Sequence, residues 1–91
     1  MWIKSCGTLY NTDNINSMAI RTKEDGDFII ELEEHEAHFY ELGGMTKDEA
    51  RVAFDMICDA LSRNEGYLDI DTITLKDIRA WKIKNGYREE E

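Results

Sequence analysis

The residue types best suited to bind a metal lie in one short segment, Glu33-Glu34-His35-Glu36-Ala37-His38. Zinc accepts both imidazole and carboxylate ligands. His35 and His38 lie three positions apart, however, and on a β-strand such residues face opposite ways. The segment is also one residue too short for the His-Glu-x-x-His motif of zinc metalloproteases. We therefore expect a polar hairpin turn here, with no bound metal and no cofactor, and keep a metal site at His35 and His38 as the alternative.

Other catalytic arrangements each lack a necessary part. Asp69-Ile70-Asp71 has neither the glycine nor the closing glutamate of a calcium-binding loop. Cys58 lies beside apolar helical positions, as a small core residue does, and no histidine can be assigned to Cys6 as a base. Carboxylates are plentiful, but no pair is distinguished by two different environments. We predict that the chain is not an enzyme.

The length of 91 residues is enough for a single domain over residues 1–91. An apolar fraction of 42% and a charged fraction of 34% are typical of a folded globular protein. No apolar run reaches about 18 residues, and the N-terminus lacks the pattern of a signal peptide. Two cysteines do not form a disulfide framework. We expect a cytoplasmic protein that does not bind membranes.

Short β-prone segments fill residues 1–42, and hydrophobic alternation is clearest over residues 27–33. There a period of two puts Phe28, Ile30 and Leu32 on one face of a strand. The preceding Asp25-Gly26 favours the positive φ angles of a type I′ turn. We expect Gly43-Gly44 to end the last strand.

A helix is predicted over residues 46–64. The sequence Thr46-Lys47-Asp48-Glu49 fits a capping box, in which the Thr46 hydroxyl and the Glu49 carboxylate each accept a backbone N–H. Gly66 is a suitable end signal. The apolar positions of this helix recur at steps of three and four and form one stripe, Ala50, Ala53, Phe54, Ile57 and Leu61.

The predicted fold is therefore α+β: an antiparallel sheet of four to five strands packed on one main helix, with a C-terminal helical extension over residues 67–88. In that extension we expect a short strand near Tyr67 and a helix that begins at Thr74 and ends near Asn85. Four aromatic side chains are expected in the core: Trp2, Phe28, Phe39 and Phe54.

The net charge of −9 comes from one part of the chain. Residues 24–49 contain ten acids and one base, Lys47, whereas the remaining residues contain ten of each. Residues 74–88 contain five bases and one acid. One interpretation is a charged outer face that keeps a small sheet soluble and prevents edge-to-edge pairing. The other is an acidic surface that binds a partner.

In the second interpretation the surface meets a basic protein surface, because crowded like charges repel and a cationic partner relieves the repulsion. Alternate strand residues stand about 6.6–6.8 Å apart, close to two nucleotide steps of about 3.4 Å. An acidic hairpin can therefore imitate DNA in the groove of a nucleic-acid-binding effector, while direct binding to nucleic acid is opposed by the net charge. The predicted partner-binding carboxylates are Glu31, Glu33, Glu34, Glu36 and Glu41.

An alternative function is a structural or assembly module that forms homodimers or larger homo-oligomers. Trp81 and Tyr87 lie among lysines in the C-terminal extension and, with Ile83, are candidates for the contact. Amphipathic aromatic residues also often seal the edge of a core.

The opening Met1-Trp2-Ile3-Lys4-Ser5, the Leu42-Gly43 step and the capped segment from Thr46 to Leu61 resemble small uncharacterised proteins of Firmicutes and their phages. The similarity covers residues 1–62. It implies a strand-rich sheet with one packed helix and no catalytic residues. In size, acidity and expected origin the chain is similar to anti-CRISPR inhibitors, which implies a non-enzymatic inhibitor acting on a CRISPR effector in the host cytoplasm.

Overall fold

The computed structural model describes residues 1–35 and 38–86, and its fold is α+β, as predicted. Two helices and two three-stranded sheets make up this part of the chain. The strands are β1 (Trp2–Ser5), β2 (Thr8–Asn11), β3 (Ile15–Thr22), β4 (Phe28–Glu34), β5 (His38–Met45) and β6 (Tyr67–Asp69), and the helices are α1 (Lys47–Ser62) and α2 (Leu75–Lys84).

The strands form two sheets, in the orders β2-β1-β6 and β3-β4-β5, rather than the single antiparallel sheet that was predicted. In the first sheet β6 runs parallel to β1, with Tyr67 opposite Trp2. A parallel pair requires a long crossover connection, which the second sheet and α1 provide. The short strand expected near Tyr67 is present, but its partner lies at the far end of the sequence, where local patterns do not reveal it.

The turn between β3 and β4 also differs from the prediction. The Gly26 N–H donates to the Lys23 carbonyl at 3.0 Å, which centres the turn on Glu24 and Asp25. Of these residues only Gly26 has a positive φ, 91°. A type I turn followed by a left-handed glycine is the usual form of a three-residue hairpin loop. The Asp25 carboxylate stabilises the loop by accepting the Asp27 N–H at 3.0 Å.

Gly43-Gly44 does not end β5, which continues to Met45. The pairing with β4 is irregular between Phe28 and Ile30, so the strand bends here as at a β-bulge. Gly43 has a φ of 46°, and a Cβ on Gly44 would lie 2.9 Å from an Asp27 carboxylate oxygen. The two glycines therefore permit a bend and a close approach within the strand.

The capping box of α1 is confirmed. The Glu49 N–H donates to the Thr46 hydroxyl at 3.2 Å, and the Thr46 N–H donates to the Glu49 carboxylate at 3.1 Å. The same arrangement begins α2, where the N–H groups of Thr74 and Asp77 donate to each other's side chains at 2.8 and 3.3 Å. Both helices therefore begin where their Thr-x-x-acid sequences predict.

The end of α1 is set by Asn64 rather than by Gly66. Asn64 takes the left-handed conformation, with a φ of 58°. The Glu65 N–H donates to the Ala60 carbonyl at 3.0 Å, and the Asn64 N–H donates to the Leu61 carbonyl at 3.1 Å. These two bonds form a Schellman motif, in which asparagine can replace glycine.

One core joins both sheets and α1. One face of β3-β4-β5 packs against α1. The other face, called the outer face below, points away from the helix. Trp2 and Phe39 are 47% and 50% exposed, so the prediction that they belong to the core is wrong, whereas Phe28 and Phe54 are partly buried. The buried side chains of the core are Ile3, Ile30, Leu32, Leu42, Ala53, Ile57 and Ile70.

The second helix packs on the far side of α1. Lys82 of α2 forms an ion pair of 2.8 Å with Asp48, and the Trp81 indole N–H donates to Asp55 at 2.7 Å. At 100° per residue, Asp48 and Asp55 lie on the side of α1 roughly opposite to Ala53, which faces the sheet core. In this direction the order is therefore β3-β4-β5, α1 and α2, and the sheet β2-β1-β6 contributes Ile3 to the same core. Neither of the helices described is long and apolar enough to cross a bilayer.

Candidate functional site

The outer face of β3-β4-β5 carries three carboxylates in neighbouring positions. Side chains alternate along β4, and since Ile30 and Leu32 are in the core, Glu31 and Glu33 point outward. The register with β5 puts Glu41 directly opposite Glu31 and Phe39 directly opposite Glu33. These four residues, Glu31, Glu33, Phe39 and Glu41, are described below as the acidic face.

Two cations of the same hairpin reach the acidic face. The Arg21 Nε lies 3.6 Å from a Glu31 carboxylate oxygen, and the Lys23 Nζ lies 3.9 Å from a Glu41 carboxylate oxygen. Glu31 and Glu41 therefore each have a cation nearby, although residues 24–49 contain only one base, Lys47. The charge count over residues 24–49 missed Arg21 and Lys23, because they precede that segment and are brought back by strand pairing. Exposed pairs of this kind contribute only about 0.2–1 kcal/mol each.

Glu33 has a different partner. Its carboxylate accepts a hydrogen bond from the Ser17 hydroxyl at 3.3 Å. A hydroxyl satisfies part of its hydrogen-bonding capacity but leaves its charge uncompensated. Within the acidic face, Glu33 is therefore a half-buried carboxylate without an ion pair among the described residues, whereas Glu31 and Glu41 each have one.

The turn between β3 and β4 adds further acids at one end of the acidic face. Glu24, Asp25 and Asp27 are all exposed there. An open depression of about 630 Å³ lies between this turn and the carboxylates Glu31 and Glu41. Its lining includes the aliphatic side chain of Ile29, which is only 4% exposed. The depression therefore combines four carboxylates and the cations Arg21 and Lys23 with some apolar surface.

Glu34 does not belong to this surface, so its grouping with Glu31 and Glu33 is corrected. By alternation it lies on the Leu32 side of the sheet. Its carboxylate accepts a hydrogen bond of 2.7 Å from the Tyr40 hydroxyl, and this hydrogen bond with the nearby negative charge raises the pKa of Tyr40. The Tyr40 ring makes an edge-to-face contact with Tyr10, with centroids 5.7 Å apart. Tyr40 thus connects β5 to the neighbouring sheet, and Glu34 holds the Tyr40 hydroxyl.

Two other predicted partner-binding residues, Glu36 and Tyr87, lie outside the described residues. Trp81 is half-buried against α1, and its N–H bond to Asp55 gives it a structural role. Ile83, by contrast, is 82% exposed.

The outward side of α2 forms a second charged surface. Helical spacing places Lys76, Arg79 and Ile83 away from the buried Ile78, and all three are exposed. Leu75, at the start of the helix, is 78% exposed. The residues Leu75, Lys76, Arg79, Ile83 and Lys84 are described below as the basic face.

Residues 1–35 and 38–86 contain no cluster of three or more histidine, cysteine or acidic side chains suited to a metal ion. The His35 Nδ1 lies 3.9 Å from Glu34, and His38 pairs with Glu34 across the strands. Cys6 and Cys58 are both free and exposed thiols, so the expectation that Cys58 is a core residue is wrong. Partial burial and, secondly, the nearby Asp55 charge raise the pKa of Cys58, which disfavours the reactive thiolate.

The Asp69-Ile70-Asp71 segment has a structural use that sequence reasoning missed. Cys6 and Gly7 form the turn between β1 and β2, with φ angles of 50° and 77° as in a type I′ turn. The Asp71 carboxylate accepts both of their N–H groups, at 2.7 and 3.3 Å. The Asp69 side chain in turn accepts the Asp71 N–H at 2.9 Å. The two acids therefore hold the β1–β2 hairpin in place.

Comparisons with models of protein families, with curated proteins and with solved structures give no match to this chain. No residue role can be transferred from a relative, so function is inferred from the acidic face and the basic face.

Proposed function

We propose that this chain is a non-enzymatic binding protein whose acidic face docks on a basic surface of another protein. The observation that carries the proposal is the direct cross-strand pair of Glu31 and Glu41, with Glu33 beside them on the outer face of the sheet. Glu41 is exposed, and Glu31 and Glu33 are half-buried. Like charges placed directly opposite each other destabilise a sheet. Lysine or arginine side chains of a partner would relieve this repulsion, which makes binding favourable.

The partner class that fits best is a nucleic-acid-binding protein. Glu31 and Glu33 lie two residues apart on β4, a spacing of about 6.6–6.8 Å that approximates two phosphate steps of a DNA strand. The acids of the β3–β4 turn extend the negative surface beyond the strands. The chain would then occupy a groove that otherwise holds nucleic acid and inhibit its owner, as an anti-CRISPR protein of a phage inhibits a CRISPR effector in the host cytoplasm.

The imitation of DNA is incomplete, because Arg21 and Lys23 interrupt the negative surface. We therefore expect the partner to contact mainly Glu33 and the Glu41 carboxylate oxygen that does not face Lys23. The Arg21–Glu31 ion pair persists in the complex. Such an interface associates rapidly and weakens with added salt.

Capture from a lysate of the native host tests the proposal. The immobilised chain is compared with E33K/E41K and with a matched control, D59K/E65K, which makes the same charge change on exposed residues of the α1 end. We expect the wild type and the control to retain basic nucleic-acid-binding proteins at low salt, and E33K/E41K to lose them. Equal capture by all three would mean that the acidic face only keeps the sheet soluble.

A further inference from the structure

The acidic face and the basic face lie on opposite sides of the molecule. The acidic face is on the side of β3-β4-β5 that points away from α1, and α2 packs on the far side of α1. Residues 74–86 contain four bases and one acid. The described part of the chain is therefore electrically polarised across its layers.

The two faces cannot neutralise each other within one copy. The only described base of α2 with an ion pair inside the molecule is Lys82, which binds Asp48 of α1. Lys76 and Arg79 point outward on the basic face. With the sheet and α1 between them, these cations are separated from Glu33 and Glu41 by two layers of structure.

We propose that the basic face docks on the acidic face of a second copy of this chain. Local charge complementarity selects this occupant, because Lys76 and Arg79 can approach Glu33 and Glu41. These close contacts outweigh the repulsion between two chains that each carry a net charge of −9. Both faces also expose apolar side chains at the same place as their charges. Ile83, 82% exposed, can cover Phe39, 50% exposed, and this apolar contact adds to the electrostatic attraction.

The contact is heterologous, because it joins two different surfaces. Each added copy leaves one acidic face and one basic face free at the ends of the assembly. Copies therefore add head to tail into short chains or rings, unlike a symmetric dimer made by two C-terminal extensions. The association is reversible and salt-sensitive, since the screening length falls from about 8 Å at physiological ionic strength to about 3 Å at 1 M.

The inference shares the acidic face with the proposed function but needs no foreign partner. Self-association and partner binding then compete for Glu33 and Glu41, and a basic partner releases monomers from the chains. The self-association and the proposed partner binding can be tested independently. A wild type that stays monomeric yet captures basic proteins through the acidic face overturns only the self-association.

Sedimentation velocity of the purified full chain over a range of concentrations tests the inference. At low salt we expect the wild type and the D59K/E65K control to show an average mass that rises with concentration. E33K/E41K reverses charges of the acidic face, and K76E/R79E reverses charges of the basic face. Each of these two variants should stay monomeric. The variant with all four reversals exchanges the charges of the two faces and should associate again.

Circular dichroism of each variant shows that its fold is retained before its mass is interpreted. Three results would overturn the inference: a monomeric wild type at low salt, loss of association in only one of the two double variants, or no recovery in the folded four-reversal variant. Association that increases with salt would also contradict it, because an apolar contact elsewhere would then be responsible.

Discussion

Glu31 of β4 and Glu41 of β5 lie directly opposite each other on adjacent antiparallel strands. The Cβ atoms of such a pair are about 4.5–5.5 Å apart. Each carboxylate has a nearby cation, at 3.6 Å from Arg21 and 3.9 Å from Lys23. Arg21 and Lys23 therefore offset part of the repulsion between the two carboxylates. A cationic partner would reduce the repulsion that remains.

A double-mutant cycle measures this repulsion. We expect E31Q, E41Q and the double variant to give an unfavourable coupling of about 0.2–1 kcal/mol between the two carboxylates. The coupling should shrink with added salt, and urea unfolding at low and high ionic strength measures it. A favourable or zero coupling at low salt would show that Arg21 and Lys23 already cancel both charges.

Trp81 is expected to stabilise the docking of α2 on α1. W81F keeps an aromatic ring but removes the N–H that donates to Asp55 at 2.7 Å. We expect the free energy of unfolding to fall by about 1 kcal/mol, while the concentration dependence of the mass stays that of the wild type. If W81F instead abolished association and kept full stability, Trp81 would be an interface residue.

Acid should weaken the start of α2 through Asp77. The hydrogen bonds from the Thr74 backbone and, secondly, its hydroxyl lower the pKa of Asp77 from its ordinary value of 3.8. A lowered folded-state pKa gives stability that is fully present above the ordinary value and is lost as pH falls through the folded value.

The comparison of wild type with D77N isolates this effect, because asparagine does not titrate. We expect the wild type to be the more stable above about pH 4 and the difference to disappear at lower pH. Thermal unfolding followed at several pH values provides the measurement. A difference that does not change with pH would contradict the role of the Asp77 charge.

The parts of the fold that were predictable from sequence depend on local chemistry. Thr46 with Glu49 and Thr74 with Asp77 place both helix starts, since each cap involves residues only three positions apart. The approximate end of α2 at Asn85 is also local. These signals need no knowledge of which strands pair.

The parts that were not predictable depend on distant pairing. The division into two sheets follows from the pairing of Trp2 with Tyr67. The partial neutralisation of Glu31 and Glu41 follows from the registers of β3 with β4 and of β4 with β5. The position of Glu34 is a different case. Alternation along β4 already separates it from Glu31 and Glu33, so the sequence contained the signal.

The most direct test of the acidic face uses the basic protein captured from the host lysate. Fluorescence anisotropy follows labelled DNA bound to that protein while the wild type, D59K/E65K or E33K/E41K is added. We predict that the wild type and the control release the DNA at low salt and that E33K/E41K does not. Release of the DNA by E33K/E41K at the wild-type concentration would contradict the claim that Glu33 and Glu41 occupy the nucleic-acid groove.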